Sequence, residues 1–174
     1  MTDKNTYPFI EHLLRLQEDR GALAALRRGL GQPPGTAPDM YRYVVPWLRT
    51  EAGRWEESVF FLVAALFGAH PLNTESGNFG DHFARTIKTS DDRSGVERRF
   101  TLLLATHSGD LHLQLRHAIS LLKSKEIAVN WQQFFGDLRY WRSERRGVQK
   151  RWAFAFWRAP QPETDNQSGE SKGE

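Results

Sequence analysis

The sequence predicts an all-α protein built as two small helical bundles, an N-terminal and a C-terminal lobe, followed by a disordered acidic tail. Three observations carry that expectation. Apolar residues recur at three- and four-residue spacing through most of the chain. No run alternates apolar and polar residues with the β-branched enrichment of a strand. Caps, prolines and glycines punctuate the pattern at short intervals, and short connections between antiparallel helices favour bundles.

Each element follows from local chemistry. Thr6 is placed to cap a first helix with Pro8 in its first turn, putting Phe9, Leu13 and Leu16 on one face with Ile10 and Leu14 beside them. Asp19 caps a second helix through Ala22, Leu23, Leu26 and Leu30, frayed by Gly29 and Gly31. Gln32-Pro33-Pro34-Gly35 is a rigid break. A short helix over 39–45 stops at Pro46, because the residue before a proline avoids the α region. Residues 55–69 are apolar nearly all the way round and read as a central buried helix, ended by His70-Pro71. A polar loop over 72–78 leads to a helix over 79–88. Residues 90–94 read as the hinge between lobes, and Ser94-Gly95-Val96-Glu97 as a capping box opening the next helix. Ser108 or Asp110 starts a helix with Leu111, Leu115, Ile119 and Leu122 as its buried stripe. Asn130 caps a helix over 131–141, and Ser143 caps a last one ending near Arg158, before Pro160. Lobes over 1–92 and 93–158 and a disordered tail over 159–174 follow; the tail is polar and acidic and offers no apolar anchor.

Composition excludes several function classes. The 174 residues suit one compact domain or two small helical lobes. With no cysteine there is no disulfide, thiolate metal site or Cys nucleophile. The longest apolar run, 59–67, is about half the ~20 residues of a membrane span. The N-terminus lacks signal-peptide character, so a soluble cytoplasmic protein is expected. Charge is uneven within the overall +3: residues 1–92 carry ten Lys/Arg against twelve Asp/Glu, whereas 93–158 carry thirteen against five. The tail carries one Lys and four acids. A cationic field on one lobe is what a polyanion partner would feel.

The candidate binding residues are the basic cluster. Arg98 and Arg99 open one helix, Arg116 lies on the next, and Arg139, Arg142, Arg145, Arg146, Lys150 and Arg151 follow on the last pair. Arg142, Arg146 and Lys150 are four apart and form one stripe if the helix is continuous there. Between Arg139 and Arg158 seven cations face one acid, Glu144, so a sugar–phosphate chain would relieve their mutual repulsion. Guanidinium groups also suit bidentate phosphate contacts. The simpler reading is a solvated face whose arginines pair with acids of the other lobe. Arg27-Arg28 forms a smaller pair, for which stabilisation of a helix C-terminus is the simpler account. The interleaved aromatics, Trp131, Phe134, Phe135, Tyr140, Trp141, Trp152, Phe154, Phe156 and Trp157, are better read as core than as base-stacking groups, because Trp152 and Phe156 fall at helical spacing.

No catalytic signature emerges. His107 and His112, and His112 and His117, are five apart rather than at the three- or four-residue spacing of a helical metal site. The adjacent Asp81-His82 pair and Asp110 add no triad, and there is no phosphate loop or nucleophile elbow. Neither a metal nor a cofactor is expected.

Several segments in order resemble one known family. Arg27-Arg28 followed by Gln32-Pro33-Pro34-Gly35 and Tyr41-Arg42-Tyr43-Val44-Val45-Pro46-Trp47 is similar to the N-terminal lobe signature of CasB proteins. Val96-Glu97-Arg98-Arg99-Phe100, Leu113-Gln114-Leu115-Arg116, Asn130-Trp131 and the basic stretch over 141–152 resemble the remainder of that pattern, so the likeness spans residues 6–158. CasB is the small subunit of the type I-E CRISPR Cascade complex. The resemblance implies two helical bundles and two copies beside the backbone and large subunits of an antiviral complex. It implies a non-catalytic role: sequence-independent binding of nucleic acid that stabilises the R-loop by holding the displaced DNA strand and the guide–target duplex. CRISPR RNA and target DNA are then the partners, and no membrane is involved. It also brings Arg27 and Arg28 into the candidate site beside the second-lobe arginines. The alternative is a structural scaffold whose basic face pairs with acidic neighbours. The loop over 72–78 and the acidic tail have no counterpart in the family, and His117 stands where a second basic residue can follow the first.

Overall fold

In a computed structural model, which describes residues 6–162, nine α-helices and two short 3-10 helices, Pro38–Met40 and Val45–Trp47, make up the regular structure among the described residues, with one isolated bridge and no strand. They are α1 (Pro8–Arg15), α2 (Arg20–Arg27), α3 (Tyr41–Val44), α4 (Arg54–Ala69), α5 (Phe79–Ala84), α6 (Ser90–Ala105), α7 (Leu111–Ser124), α8 (Trp131–Arg139) and α9 (Gly147–Arg158). Helix α4 is the hub. Its apolar residues Val59, Phe61, Leu62, Val63, Leu66 and Phe67 are all buried, and α2, α3, α7 and α8 pack around it. Gly68 lets α2 approach closely: a Cβ there would lie 2.7 Å from that of Leu26 and 3.0 Å from the Leu23 carbonyl oxygen.

The buried side chains form one cluster running from Phe9 to Phe156. Aromatic rings thread it. Phe9 and Phe60 meet Phe135 at 5.5 and 5.0 Å between centroids, and Phe67 meets Trp131 at 5.4 Å. Phe100 stacks on Phe156 at 4.3 Å. Polar groups stitch the same seam. The loop over 72–78, which looked featureless in sequence, pairs with the approach to α8: the Val129 amide donates to Leu72 O and the Thr74 amide to Val129 O. Buried His70 is bonded to the Ile127 carbonyl at 2.7 Å.

Several helix ends fall where the sequence placed them. Asp19 accepts from the Ala22 amide, Asn130 accepts from the Gln133 amide, and Pro8 occupies the first turn of α1, preceded by Tyr7 rather than Thr6 at the cap. Others do not. Helix α6 starts at Ser90, five residues earlier than expected, because Thr89 and Asp92 form the capping box: the Asp92 carboxylate accepts from the Lys88 and Thr89 amides. Ser94 and Glu97 therefore lie inside a helix, and residues 90–94 form its first turn rather than a hinge. Helix α5 ends at Ala84, where the Thr86 hydroxyl bonds back to the Phe83 carbonyl. Helix α8 stops at Arg139, so Trp141 lies in a turn.

The last helix starts at Gly147, not at Ser143. Arg146 holds a left-handed conformation, φ 50°, which interrupts helical geometry there. Its guanidinium donates to the Leu104 carbonyl, in the last turn of α6, where carbonyls lack helical partners. The expected continuous stripe Arg142–Arg146–Lys150 is therefore broken, because only Lys150 lies on a helix. The predicted tail over 159–174 lies outside the described residues except for 159–162, where Ala159 packs against the core.

Candidate nucleic-acid interface

The sequence marked cations along the chain, and the fold sorts them into distinct settings. One group lines a shallow cleft of about 210 Å³ between α4, the α6–α7 turn and the segment after α8. Helix α4 contributes Arg54, its first residue, and Trp55, whose indole N–H donates to the Leu138 carbonyl at 3.1 Å. Arg142 comes over the Trp55 ring, with its guanidinium carbon 6.0 Å from the centroid. Helix α7 contributes His112. Arg116 lies one turn further along the same face of α7, and its guanidinium rests against Gly31 in the loop after α2. Gly31 is left-handed, φ 72°, and any side chain there would collide with that guanidinium. Arg116 thereby crosses from one half of the chain to the other, next to the segment that carries Arg27 and Arg28. No carboxylate lines the cleft, and the exposed side chains of Arg54, Arg116 and Arg142 have no acidic partner among the described residues.

A second group is committed internally. Arg28 pairs with Asp39 at 2.8 Å, a contact that raises its pKa. Arg139 reaches Glu56 at 3.3 Å and stands over the rings of Tyr7 and Phe135. Arg151 pairs at 3.0 Å with Asp137, whose side chain is 2% exposed. That buried carboxylate also accepts from the Trp152 indole at 2.7 Å and from the Gln133 side-chain Nε2 at 2.9 Å, so it organises the α8–α9 junction. Arg27 donates to the Gly68 carbonyl near the end of α4, and Arg146 to Leu104 as above; both complement helix C-termini.

The remaining cations lie elsewhere on the surface. Arg99 lines a groove of about 430 Å³ between α6 and α7 with Gln114 and His117. Arg98 and Arg145 are exposed and have no acidic partner among the described residues. Lys150 lies on the outer face of α9. Of the eleven cations picked from sequence, the fold thus brings Arg142 into the cleft, with Arg116 one turn further along α7 beside Gly31. It adds Arg54 and His112, which sequence reasoning missed. Arg54 carries no motif, and the spacing of His112 from its neighbouring histidines points only to a weak metal or catalytic signal. Among the described residues no three His, Asp or Glu side chains gather to hold a metal ion.

The aromatics divide as well. Trp131, Phe134, Phe135, Trp141, Trp152 and Phe156 are core, whereas Tyr140, Phe154 and Trp157 are exposed.

Comparison with known proteins adds an independent line. Residues 22–157 match the model of a family described as CRISPR-associated protein Cse2. A Cse2 protein of Thermus thermophilus is 34% identical over 156 residues, covering 87% of this chain and 89% of that protein. The crystal structure of CasB from Thermus thermophilus aligns with a TM-score of 0.77 at 30% identity, over 91% of this chain and all of the other. A chain of a solved CRISPR RNA-guided surveillance complex shares the fold, with a TM-score of 0.75 at 24% identity over 86% of this chain and 90% of that one.

Proposed function

The chain belongs to the CRISPR-associated Cse2 (CasB) family, and from that premise we propose that it is a non-catalytic subunit of an RNA-guided Cascade surveillance complex that holds nucleic acid without reading its sequence. In this reading the backbone subunits, the large subunit and a second copy surround it, and the bound polyanion is the displaced DNA strand together with the guide–target duplex. The observation that carries the proposal is the acid-free cleft where Arg54, His112 and Arg142 converge, continued by Arg116 towards Gly31. Replacing a DNA duplex by an RNA–DNA hybrid is nearly balanced in energy, so modest backbone contacts are enough to tip it. Such contacts need positive charge and no base-reading code. Arg98, Arg99, Arg145 and Lys150 lie on other parts of the surface, while Arg28, Arg139 and Arg151 hold carboxylates of the protein itself.

Binding of a fluorescent 20-nucleotide oligo-dT by the full chain, measured over a range of salt, tests this. In R116A/R142A, binding weakens, and the slope of log affinity against log salt falls by about 0.7 for each phosphate that the variant no longer neutralises. An unchanged slope would remove these residues from the interface. A variant that binds oligo-dT normally yet fails to join the RNA-guided complex would favour the scaffold role instead.

A further inference from the structure

We propose that the outer face of α9 is a base-stacking site for single-stranded nucleic acid, built by Phe154 and Trp157 and flanked by Lys150 and Arg158. The proposal rests on the nucleic-acid reading above and adds a different chemistry to it. Positions 150, 154, 157 and 158 fall on one stripe of a helix, and that stripe points away from the core, which Trp152 and Phe156 enter on the opposite side. Phe154 is 56% exposed and Trp157 47%. Together with Ala153 and the two cations they outline an open hollow of about 420 Å³ in which no acid takes part.

Both rings are held in place. Trp157 meets Phe100 at 5.7 Å and Phe156 at 4.8 Å between centroids, so the buried rings fix the indole while nearly half of it faces water. The Arg158 guanidinium carbon stands 4.6 Å from the centre of the Phe154 ring, which braces that ring and leaves a cation beside it. Every nucleobase has a π-face, so such rings accept bases in any order, and cations on the same stripe suit the phosphates between them. Exposed Phe, Trp and Arg also suit a protein partner, but two cations with no acid beside them favour a polyanion, and Lys150, a residue that protein interfaces deplete, sits one turn before Phe154 on the same face.

The test compares oligo-dT with an abasic oligonucleotide of equal length, which keeps the phosphates and lacks the bases. The full-length F154A/W157A variant is expected to bind oligo-dT about tenfold or more weakly, since stacking on one ring contributes about 1–3 kcal/mol. Its binding to the abasic strand should stay within twofold of wild type. F154L/W157L, which keeps apolar volume near Phe100 and guards against a folding defect, should show the same selective loss, and W157F should retain binding. Oligo-dT affinity unchanged in F154A/W157A, or an equal loss on both ligands, would overturn the stacking site while leaving the cationic interface standing. A variant that binds oligo-dT normally but no longer joins the RNA-guided complex would overturn it in favour of a protein partner. If the wild type bound neither strand, the nucleic-acid reading itself would fall, and this site with it.

Discussion

His82 is fully buried, and its environment fixes its protonation state. Its Nε2 accepts from the Asn130 backbone amide at 3.0 Å, so that nitrogen must be unprotonated and the proton resides on Nδ1. Nδ1 is buried and has no partner among the described residues. Burial and, secondarily, nearby Arg85 push the imidazole pKa down to about 4, with Asp81 opposing. The folded state therefore disfavours protonation, whereas the unfolded chain takes up a proton near pH 6.5. Stability contributed by neutral His82 is fully present above about pH 6.5 and is lost progressively as the pH falls towards 4. Between pH 7 and pH 5 this one group should cost about 2 kcal/mol of unfolding free energy. Burial also lowers the pKa values of His12 and His70, so they act in the same sense. Urea unfolding at the two pH values checks the contribution: His82→Gln should show a smaller pH dependence than wild type, and an equal dependence would dismiss His82 as its source. None of this was legible in the sequence, where Asp81-His82 looked like a stray pair. Burial of the imidazole and its bond to the start of α8 exist only once residues 48 apart are brought together.

At the scale of the helix, glycine reports which elements touch. Gly80 lies in α5 directly against the Trp152 carbonyl of α9, and an added Cβ would collide with backbone there. Gly95 lies inside α6 with nothing within 4 Å of an added Cβ. Gly80→Ala should therefore destabilise by about 1–3 kcal/mol, since the α5–α9 contact must open. Gly95→Ala should stabilise by about 0.5–1 kcal/mol through helix propensity alone. Thermal melts of the two variants against wild type decide the matter, and a neutral Gly80→Ala would mean that α5 and α9 are not pressed together as described. The same contrast explains what the sequence revealed and what it concealed. Helix identity was legible from periodicity, as in α4 and α7, and Asp19 and Asn130 were legible as caps because their side chains act locally. Starts governed by competing local bonds were not. Two candidate capping boxes follow one another in sequence, 89–92 and 94–97, and the earlier one, Thr89 with Asp92, sets the start of α6. The start of α9 depends on Arg146 reaching a carbonyl 42 residues away. The cleft was half legible for the same reason: Arg142 stood out by charge, as did Arg116 one turn beyond the cleft on α7, but Arg54 joins Arg142 only through the docking of α4 against α7 and α8. The exposure of Phe154 was available in principle, because residues two apart on a helix point to opposite sides and Trp152 is core.

Across the whole molecule, the two halves of the chain are joined too extensively to unfold apart. Glu56 of α4 binds Arg49 at 3.1 Å and Arg139 of α8 at 3.3 Å. The Tyr7 amide donates to the Gln132 side chain at 2.7 Å, which ties the start of α1 to α8. The Trp55 and Trp131 indoles each donate across the seam, to Leu138 and Leu72. Separating the halves would break these part-buried hydrogen bonds and expose Phe135, Phe67 and Trp131 together, at roughly 1.5–3 kcal/mol for each large apolar side chain. With the polar terms added, that is comparable to the whole net stability of about 5–15 kcal/mol typical of a domain, so no half-folded state should accumulate. Urea unfolding followed by tryptophan fluorescence and by far-ultraviolet circular dichroism should give coincident curves with one midpoint, and a fragment ending at residue 92 should not fold alone. Two separated transitions, or a folded fragment, would show that each half holds its own core. Cooperativity of this kind also matters for the cleft, because Arg54 and Arg142 come from opposite halves. They can present one surface to a phosphate chain only while the seam between α4 and α8 stays closed.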